Sequence, residues 1–435
     1  MKIRPNSVNR LFFISIFCCA SSAYATHNVS RYFPFLERPE EYTIKKRSHI
    51  TPSFIYLNAS TADRRGGGSG GIPELWGRYD LKDVIASLKE VQPTADPIYL
   101  VTGSHALDGK SMKFGVRGKV RGQGVLLNYE QDLKWHGFQV GASIPVMALQ
   151  TTSVFNFDHH DSDYYFQHPT SEDTEFQQLL LADSIRRTTH MMIGFKGNEL
   201  NQGGFGDLDL HVRWNRIFDH ILLMKTIDLN LQFGSVFPTG FTSNPDIPPS
   251  LSMGSDGHWG LYGDIVTAFE LRQDWTFGFM LGCVGLFSHT RTIRIPSRAG
   301  EPAIFSAIRG DVRCEPGVTF KFSPYFILAN LTDGLDFHVR YTYLHHKIDH
   351  WKDMRSGAEK ISVPSYLGDS NLVALKESLS KWSTNYVTLQ VSYDTEAAMK
   401  KYFSRPIVFV TYDIPVGGNG VSLTHQVAVG VELHF

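Results

Sequence analysis

The residues of this chain that could do chemistry are interleaved with residues that could not. Asp207, Asp209, His211, Arg213 and Asn215 alternate with Leu208, Leu210, Val212 and Trp214. Period two places the polar set on one face of a strand and the apolar set on the other. The same spacing sets Asp228 against Leu229, Asp264 against Ile265, Arg313 and Glu315 against Val312 and Cys314, and Asp336 and Arg340 against Leu335 and Val339. Lys113, Arg117, Lys119 and Arg121 form a basic ladder on one further strand. Such a ladder can attract an anionic solute, or be neutralised by acids on neighbouring strands. Asp209, His211 and Ser235 supply the residue types of a nucleophile, base and acid set. Asp158-His159-His160-Asp161-Ser162-Asp163 offers ligands for a divalent metal, and His345-His346 with His350 offers fewer, but neither has the spacing of a strong metal motif. There is no phosphate-binding Gly-Lys-Ser/Thr loop, no Gly-x-Ser-x-Gly elbow and no His-Glu-x-x-His. No cofactor is expected, and no enzyme. What the polar residues do depends on what their strand faces border.

The start of the chain bears on that. Lys2, Arg4 and Arg10 precede the apolar run Leu11–Ala20, and Ala23-Tyr24-Ala25 follows as a small-x-small cleavage site. This is the three-part pattern of a secretory signal peptide over residues 1–25, cleaved near Ala25. Its removal takes away three bases and no acid, moving the formal charge from −1 to −4. A weakly acidic exported chain does not suit nucleic acid as a partner. No later segment is a continuous apolar run of the length a helix needs to cross a bilayer. A membrane-spanning reading therefore requires a closed barrel, because an open sheet leaves backbone groups unsatisfied in lipid.

Alternation predicts twelve strands from Ile50–Ser60 to Val427–Phe435, with 26–47 as a periplasmic tail or plug segment and 48–435 as the barrel. Near Gly122–Gly124 the apolar phase changes from Met112, Phe114 and Val116 to Val125, Leu127 and Tyr129, which predicts a bulge or kink. Odd-numbered connections are mostly long, with helical spacing at Asp80–Lys89, Glu172–Ile185 and Leu372–Leu379; the others are short turns. Long loops on one side and short turns on the other, with an even strand count, are the outer-membrane pattern. Trp135, Trp214 and Trp275 all fall near short turns, as an aromatic girdle would. The fold class is thus an all-β, antiparallel up-and-down transmembrane barrel. Its polar face lines a wet or plugged lumen through Lys113, Arg117, Lys119, Arg121, Asp207, Asp209, Arg213, Asp228, Asp264, Arg313, Glu315, Asp336 and Arg340. Cys283 and Cys314 are placed on adjacent antiparallel strands as a candidate disulfide of an oxidising compartment.

Gly204-Phe205-Gly206-Asp207-Leu208-Asp209-Leu210, the Arg213-Trp214 strand end and a return strand closing on Pro238-Thr239-Gly240 resemble outer-membrane transporters for hydrophobic compounds. These are the long-chain fatty-acid group and the related phenol-degradation (meta-pathway) group. The phenylalanine-rich N-terminal plug signature of the fatty-acid transporters is not evident, and the nearest stretch is Tyr32-Phe33-Pro34-Phe35-Leu36. The terminal Phe435 resembles the signal by which outer-membrane barrels are recognised for assembly. The resemblance implies a channel for small, hydrophobic solutes, with outer-membrane lipid and the barrel-assembly machinery as further partners. A structural or adhesive barrel acting through its loops, or a barrel hydrolase, are the alternative readings.

Overall fold

Alternating residues build strands, and strands in lipid need partners on both edges. In a computed structural model, which describes residues 30–36, 38, 48–105, 107–158, 162, 172–221, 224–272, 274–395 and 406–435, twelve antiparallel strands meet that need. They are β1 (His49–Ala59), β2 (Lys113–Trp135), β3 (Phe138–Phe157), β4 (Leu208–Ile221), β5 (Met224–Phe237), β6 (Gly260–Arg272), β7 (Trp275–Leu286), β8 (Thr319–Thr332), β9 (Leu335–His346), β10 (Trp382–Asp394), β11 (Ile407–Asn419) and β12 (His425–His434). Each pairs with its chain neighbours, and β12 pairs with β1 from His49↔His434 to Asn58↔His425, closing the barrel. Two short strands, Tyr79–Asp80 and Glu199–Phe205, extend the wall beside β2 and β3. The signal-peptide residues, and His159, His160, Asp161 and Asp163 of the acidic-histidine cluster, lie outside the described residues.

The outer face carries an apolar belt. Phe138, Val140, Ala142, Ile144 and Val146 share the outward phase of β3 up to Ala148, and Ile50, Phe54 and Tyr56 that of β1. Phe138 to Ala148 spans about 33 Å along the strand, or about 25 Å along the barrel axis at the usual tilt. That is the height of a hydrocarbon layer, so the barrel spans a membrane. Trp135, Trp214 and Trp275 all face outward at the short-turn end, where Trp135 stacks on Phe138 at 5.1 Å and Trp275 meets Phe326 edge-on at 5.8 Å. Phe237 and Trp259, 4.7 Å apart, mark the opposite rim.

Three expectations need correction. First, β2 has no bulge near Gly122–Gly124: this 23-residue strand keeps its register with β3 from Phe114 to Asp132 and with β1 from Val120 to Glu130. At about 75 Å it is far longer than a membrane crossing requires. Phe114, Val116 and Val120 face inward above the belt, whereas Val125, Leu127 and Tyr129 face outward within it. The change of phase is therefore the lipid–water boundary. Lys113, Arg117, Lys119 and Arg121 share the outward phase and do not line the lumen. Second, the chain breaks at Pro316-Gly317, so Arg313, Cys314 and Glu315 leave the barrel. They belong to a small sheet of His289–Arg294, Arg309–Glu315 and His350–Asp353 at the long-loop end. Arg313 and Glu315 are exposed there and pair with each other at 3.3 Å. Third, Cys283 and Cys314 are both free thiols. Cys283 opposes Gly263 and Phe320 in the barrel wall, while Cys314 opposes His289 and Trp351.

Long loops and short turns segregate as expected, except that β11 and β12 are joined by only Gly420–Thr424 and that the turn-side connection from β10 to β11 runs over 395–406. The loop helices form over Leu81–Val91 behind an Asp80 cap that accepts from the Lys82 amide, Glu172–Ile193, and Ser370–Ser378 behind an Asp369 cap. Phe435 lies outward beside the β1–β12 seam, its ring 6.4 Å from Tyr129 and its amide bonded to the Ser48 carbonyl at 3.0 Å. Replacing Phe435 with Asp is expected to cut the yield of inserted, heat-modifiable barrel on cold SDS gels. The molecules that do insert should keep wild-type pore properties.

Candidate functional site

The lumen has two tiers, and each strand changes its inward residues between them. On β1, His49, Thr51 and Ser53 face inward near the short-turn end, and Ile55, Leu57 and Ala59 toward the loops. In the lower tier a buried network crosses four strands. Arg213 donates to Glu130 Oε2 at 2.6 Å and to Gln232 Oε1 at 3.0 and 2.8 Å. Gln232 donates to the Tyr262 hydroxyl at 3.0 Å, which donates to Asp209 Oδ1 at 2.6 Å. His211 Nδ1 lies 2.8 Å from the same oxygen. Farther round the wall Lys321 of β8 lies 3.1 Å from Asp264 of β6, and Thr388 links Arg340 to Asp413 at 3.2 and 2.6 Å. Charges this buried persist because each has an opposite charge within reach.

Asp207, Asp209, Arg213, Asp228, Asp264 and Arg340 thus lie on the inner face and are buried. Asp336 shares the inward phase of β9 at the short-turn rim, where it accepts from the Asn330 amide at 2.8 Å. Asp207 acts as a loop anchor. At the break between Phe205 and Leu208 its carboxylate accepts from the amides of Gly240 at 3.0 Å and Ser255 at 2.5 Å, holding the β5–β6 loop over the lumen. Ser235 lies on the outward phase of β5, away from His211 and Asp209, so the hydrolase set is not assembled. His346 is engaged by Thr319 at 2.7 Å and Asp349 at 2.8 Å, and His350 faces Glu377 at 3.6 Å, so these histidines do not converge. Sequence reasoning missed Glu130, Gln232, Tyr262 and Asp413 as lining residues. Asp413 carries the same alternation signal, between Tyr412 and Ile414, and Glu130 stands on the phase opposite Val125, Leu127 and Tyr129.

The upper tier is filled by the chain itself. Ser30–Leu36 and Arg38 lie inside the barrel. Arg31 donates to the carbonyls of Gly420 at 3.0 Å and Leu379 at 3.1 Å near the loops, and Trp76 Nε1 donates to the Tyr32 hydroxyl at 2.8 Å. Phe33 and Phe35 pack with Ile55, Leu57, Val120 and Met147 of the wall and Leu75 and Met253 of the loops. Lower down the Arg38 guanidinium sits 3.6 Å from the centre of the Phe409 ring. Between this segment and the polar network remains a cavity of about 70 Å³, bordered by Phe35, Arg38, Glu130, His211 and Asp413. A space of that size has room for a few waters.

Above the membrane the loops form a cap with its own core of Tyr79, Leu81, Val84, Ile85, Phe114, Ile185 and Phe305. Glu301 lies beneath it, accepting from the amides of Ser297 at 2.7 Å and Ala307 at 3.1 Å. Burial pushes its carboxyl up to about 7. Lys376 donates to the carbonyls of Ala299 at 3.1 Å and Glu301 at 2.7 Å, and burial lowers its ammonium to about 8.

Two outcomes follow from this geometry. Arg213→Met leaves Glu130 buried without its guanidinium and should destabilise the barrel by about 3–5 kcal/mol in urea unfolding from lipid vesicles. Pairing it with Glu130→Gln should recover much of that loss. Because the Glu301 carboxyl is raised, its contribution to cap stability is full below its unfolded value near 4.5 and is lost as pH rises through about 7. Lys376, being lowered, acts in the opposite sense, its contribution being lost as pH falls through about 8. Hydrogen exchange of residues 295–308 should therefore quicken between pH 4.5 and 7, and Glu301→Gln should flatten that part of the profile.

No family model matches the chain, and no curated protein matches it. Solved structures similar to it include an outer membrane channel from Pseudomonas putida F1, 9% identical over 92% of this chain and 100% of that one, with a TM-score of 0.45. The transport unit of the autotransporter AIDA-I from Escherichia coli is 7% identical over 100% of both chains, at a TM-score of 0.37. A Pseudomonas aeruginosa FadL homologue is 9% identical over 94% of this chain and 96% of that one, at 0.30.

Proposed function

We propose that the protein is an outer-membrane channel for small hydrophobic solutes, held shut at rest by its own N-terminal segment. The observation that carries this reading is the seating of Tyr32, Phe33 and Phe35 inside the lumen, against apolar inner wall, directly above a polar network. A lumen meant only for ions would gain nothing from an apolar upper tier. A solute of aromatic or alkyl character could replace the ring contacts of Phe33 and Phe35 as the segment withdraws. The charged residues below would then set what passes. The signal-peptide pattern, the belt and the one-sided loops support an outer-membrane setting with the short turns toward the periplasm. In that setting the lipid-facing Phe435 is the assembly signal, and lipid and the barrel-assembly machinery are its partners. The conductive state requires the N-terminal segment to leave the lumen.

Planar-bilayer recording tests this. Wild-type protein should stay closed for most of the record, and a variant lacking residues 30–38 should give discrete, sustained conductance. Liposomes carrying that variant should take up a small aromatic hydrocarbon faster than a sugar of similar size. A folded deletion variant that neither conducts nor takes up solute would sink the channel reading. If its loops then bound cell surfaces, the adhesive reading would take its place.

A further inference from the structure

We propose that Arg117, Lys119 and Arg121 form a docking site on the outside of the barrel for a phosphorylated glycolipid headgroup of the surrounding leaflet. The three share the outward phase of β2, about 7 Å apart along the strand. Arg121 lies in register with Asn58 of β1 and Gln150 of β3, just beyond Tyr56 and Ala148, where the unbroken apolar run on the outward face of those strands ends. The cations therefore begin where the hydrocarbon ends, at headgroup depth. A basic ladder inside a lumen would meet acids across the strands, but here the cross-strand partners are Asn58, Gln150, Thr152 and Val154. Among the described residues none of the three cations pairs with a carboxylate. The acid on this face of the adjoining strand, Glu199, accepts from Gln150 at 3.1 Å.

Beside the ladder a shallow groove is lined by Tyr56, Arg121, Gln123, Gln150 and Asn201. Its amides and hydroxyl suit sugar hydroxyls, while guanidinium and ammonium groups suit phosphates. Each cation held near an anionic lipid surface gains from it. A soluble anion would have no reason to meet the ladder at the edge of an apolar belt, whereas a lipid is held there by its own chains. The inference rests on the membrane reading of the belt and is independent of channel activity.

The test uses the full chain in phosphatidylcholine vesicles, with or without a bisphosphorylated diglucosamine lipid, followed by native mass spectrometry of lipid retained on release into detergent. Wild-type protein should retain the phosphorylated lipid, and added salt should weaken retention. Arg117→Gln, Lys119→Gln and Arg121→Gln should each lower apparent affinity on the order of fivefold, and the triple variant on the order of a hundredfold. Lys134→Gln, a charge change at the other rim, should leave retention unchanged. Heat-modifiable gel mobility verifies that each variant is folded, and unchanged conductance separates this result from the channel reading. Equal retention by wild type and a folded triple variant would overturn the proposal. So would equal retention of the dephosphorylated lipid, or inorganic phosphate displacing the lipid at similar concentration.

Discussion

In hydrocarbon a backbone amide has no water to bond to, and the pairing of β1 with β12 is where this chain meets that constraint. Every other pair of barrel strands joins neighbours in the sequence and needs only a turn or loop. The seam joins residues from opposite ends of the barrel sequence, and without it two edges would lie open in lipid. Its residues show how the seam is fitted to both solvents. Phe54, Tyr56 and Val429 face lipid, while Ser53, Gln426 and Glu432 face inward. Gly430 lies where an added Cβ would meet the Phe409 ring and the Ser53 hydroxyl. The closing strand thus has a small residue where the inner wall leaves no room for a side chain.

From closure follows a second consequence, the exchange of polarity along the strands. A barrel wall in the membrane has lipid outside and a polar interior. The same wall beyond the membrane has water outside and a packed cap inside. β2 is long enough to experience both, and its apolar residues change face at Gly122–Gly124. An added side chain at Gly122 would meet Leu57 and Leu149 of the two neighbouring strands, so the wall is closely packed inside at the crossover. Cap, plug and ladder belong to one arrangement: apolar surface turned inward above the membrane is covered by Phe33, Phe35 and the loops, and the polar surface turned outward is left for headgroups and water.

The buried charges follow the same logic. Glu130, Arg213, Asp264 and Lys321 are too buried to be solvated by bulk water, and each is matched by an opposite charge nearby. Such a network fixes the inner wall beneath the N-terminal segment. The segment itself is held by different means. Its ring contacts and a few hydrogen bonds through Arg31 and Tyr32 are of a kind that can be exchanged for contacts with an apolar solute. A rigid wall with a replaceable filling is the physical basis of the gating proposed above.

Local patterning carried a great deal. Period-two alternation is a property of neighbouring residues, so the barrel strands, their number, the tryptophan girdle and the loop helix that begins behind Asp80 were all readable before any contact was known. So was the inward placement of Asp207, Asp209, Arg213 and Asp264, whose strands lie within the belt, where lipid fixes which face is apolar. The tertiary structure decided what alternation cannot encode, namely the medium each face borders. The ladder from Lys113 to Arg121 has the same alternation as a lumen strand but stands above the membrane, where inside and outside exchange roles. Pro316-Gly317 reads as a local irregularity, yet it sends Arg313, Cys314 and Glu315 into a separate sheet. The seating of Tyr32–Phe35 in the lumen has no local signature, because it depends on a space that exists only once residues from both ends of the barrel have closed around it.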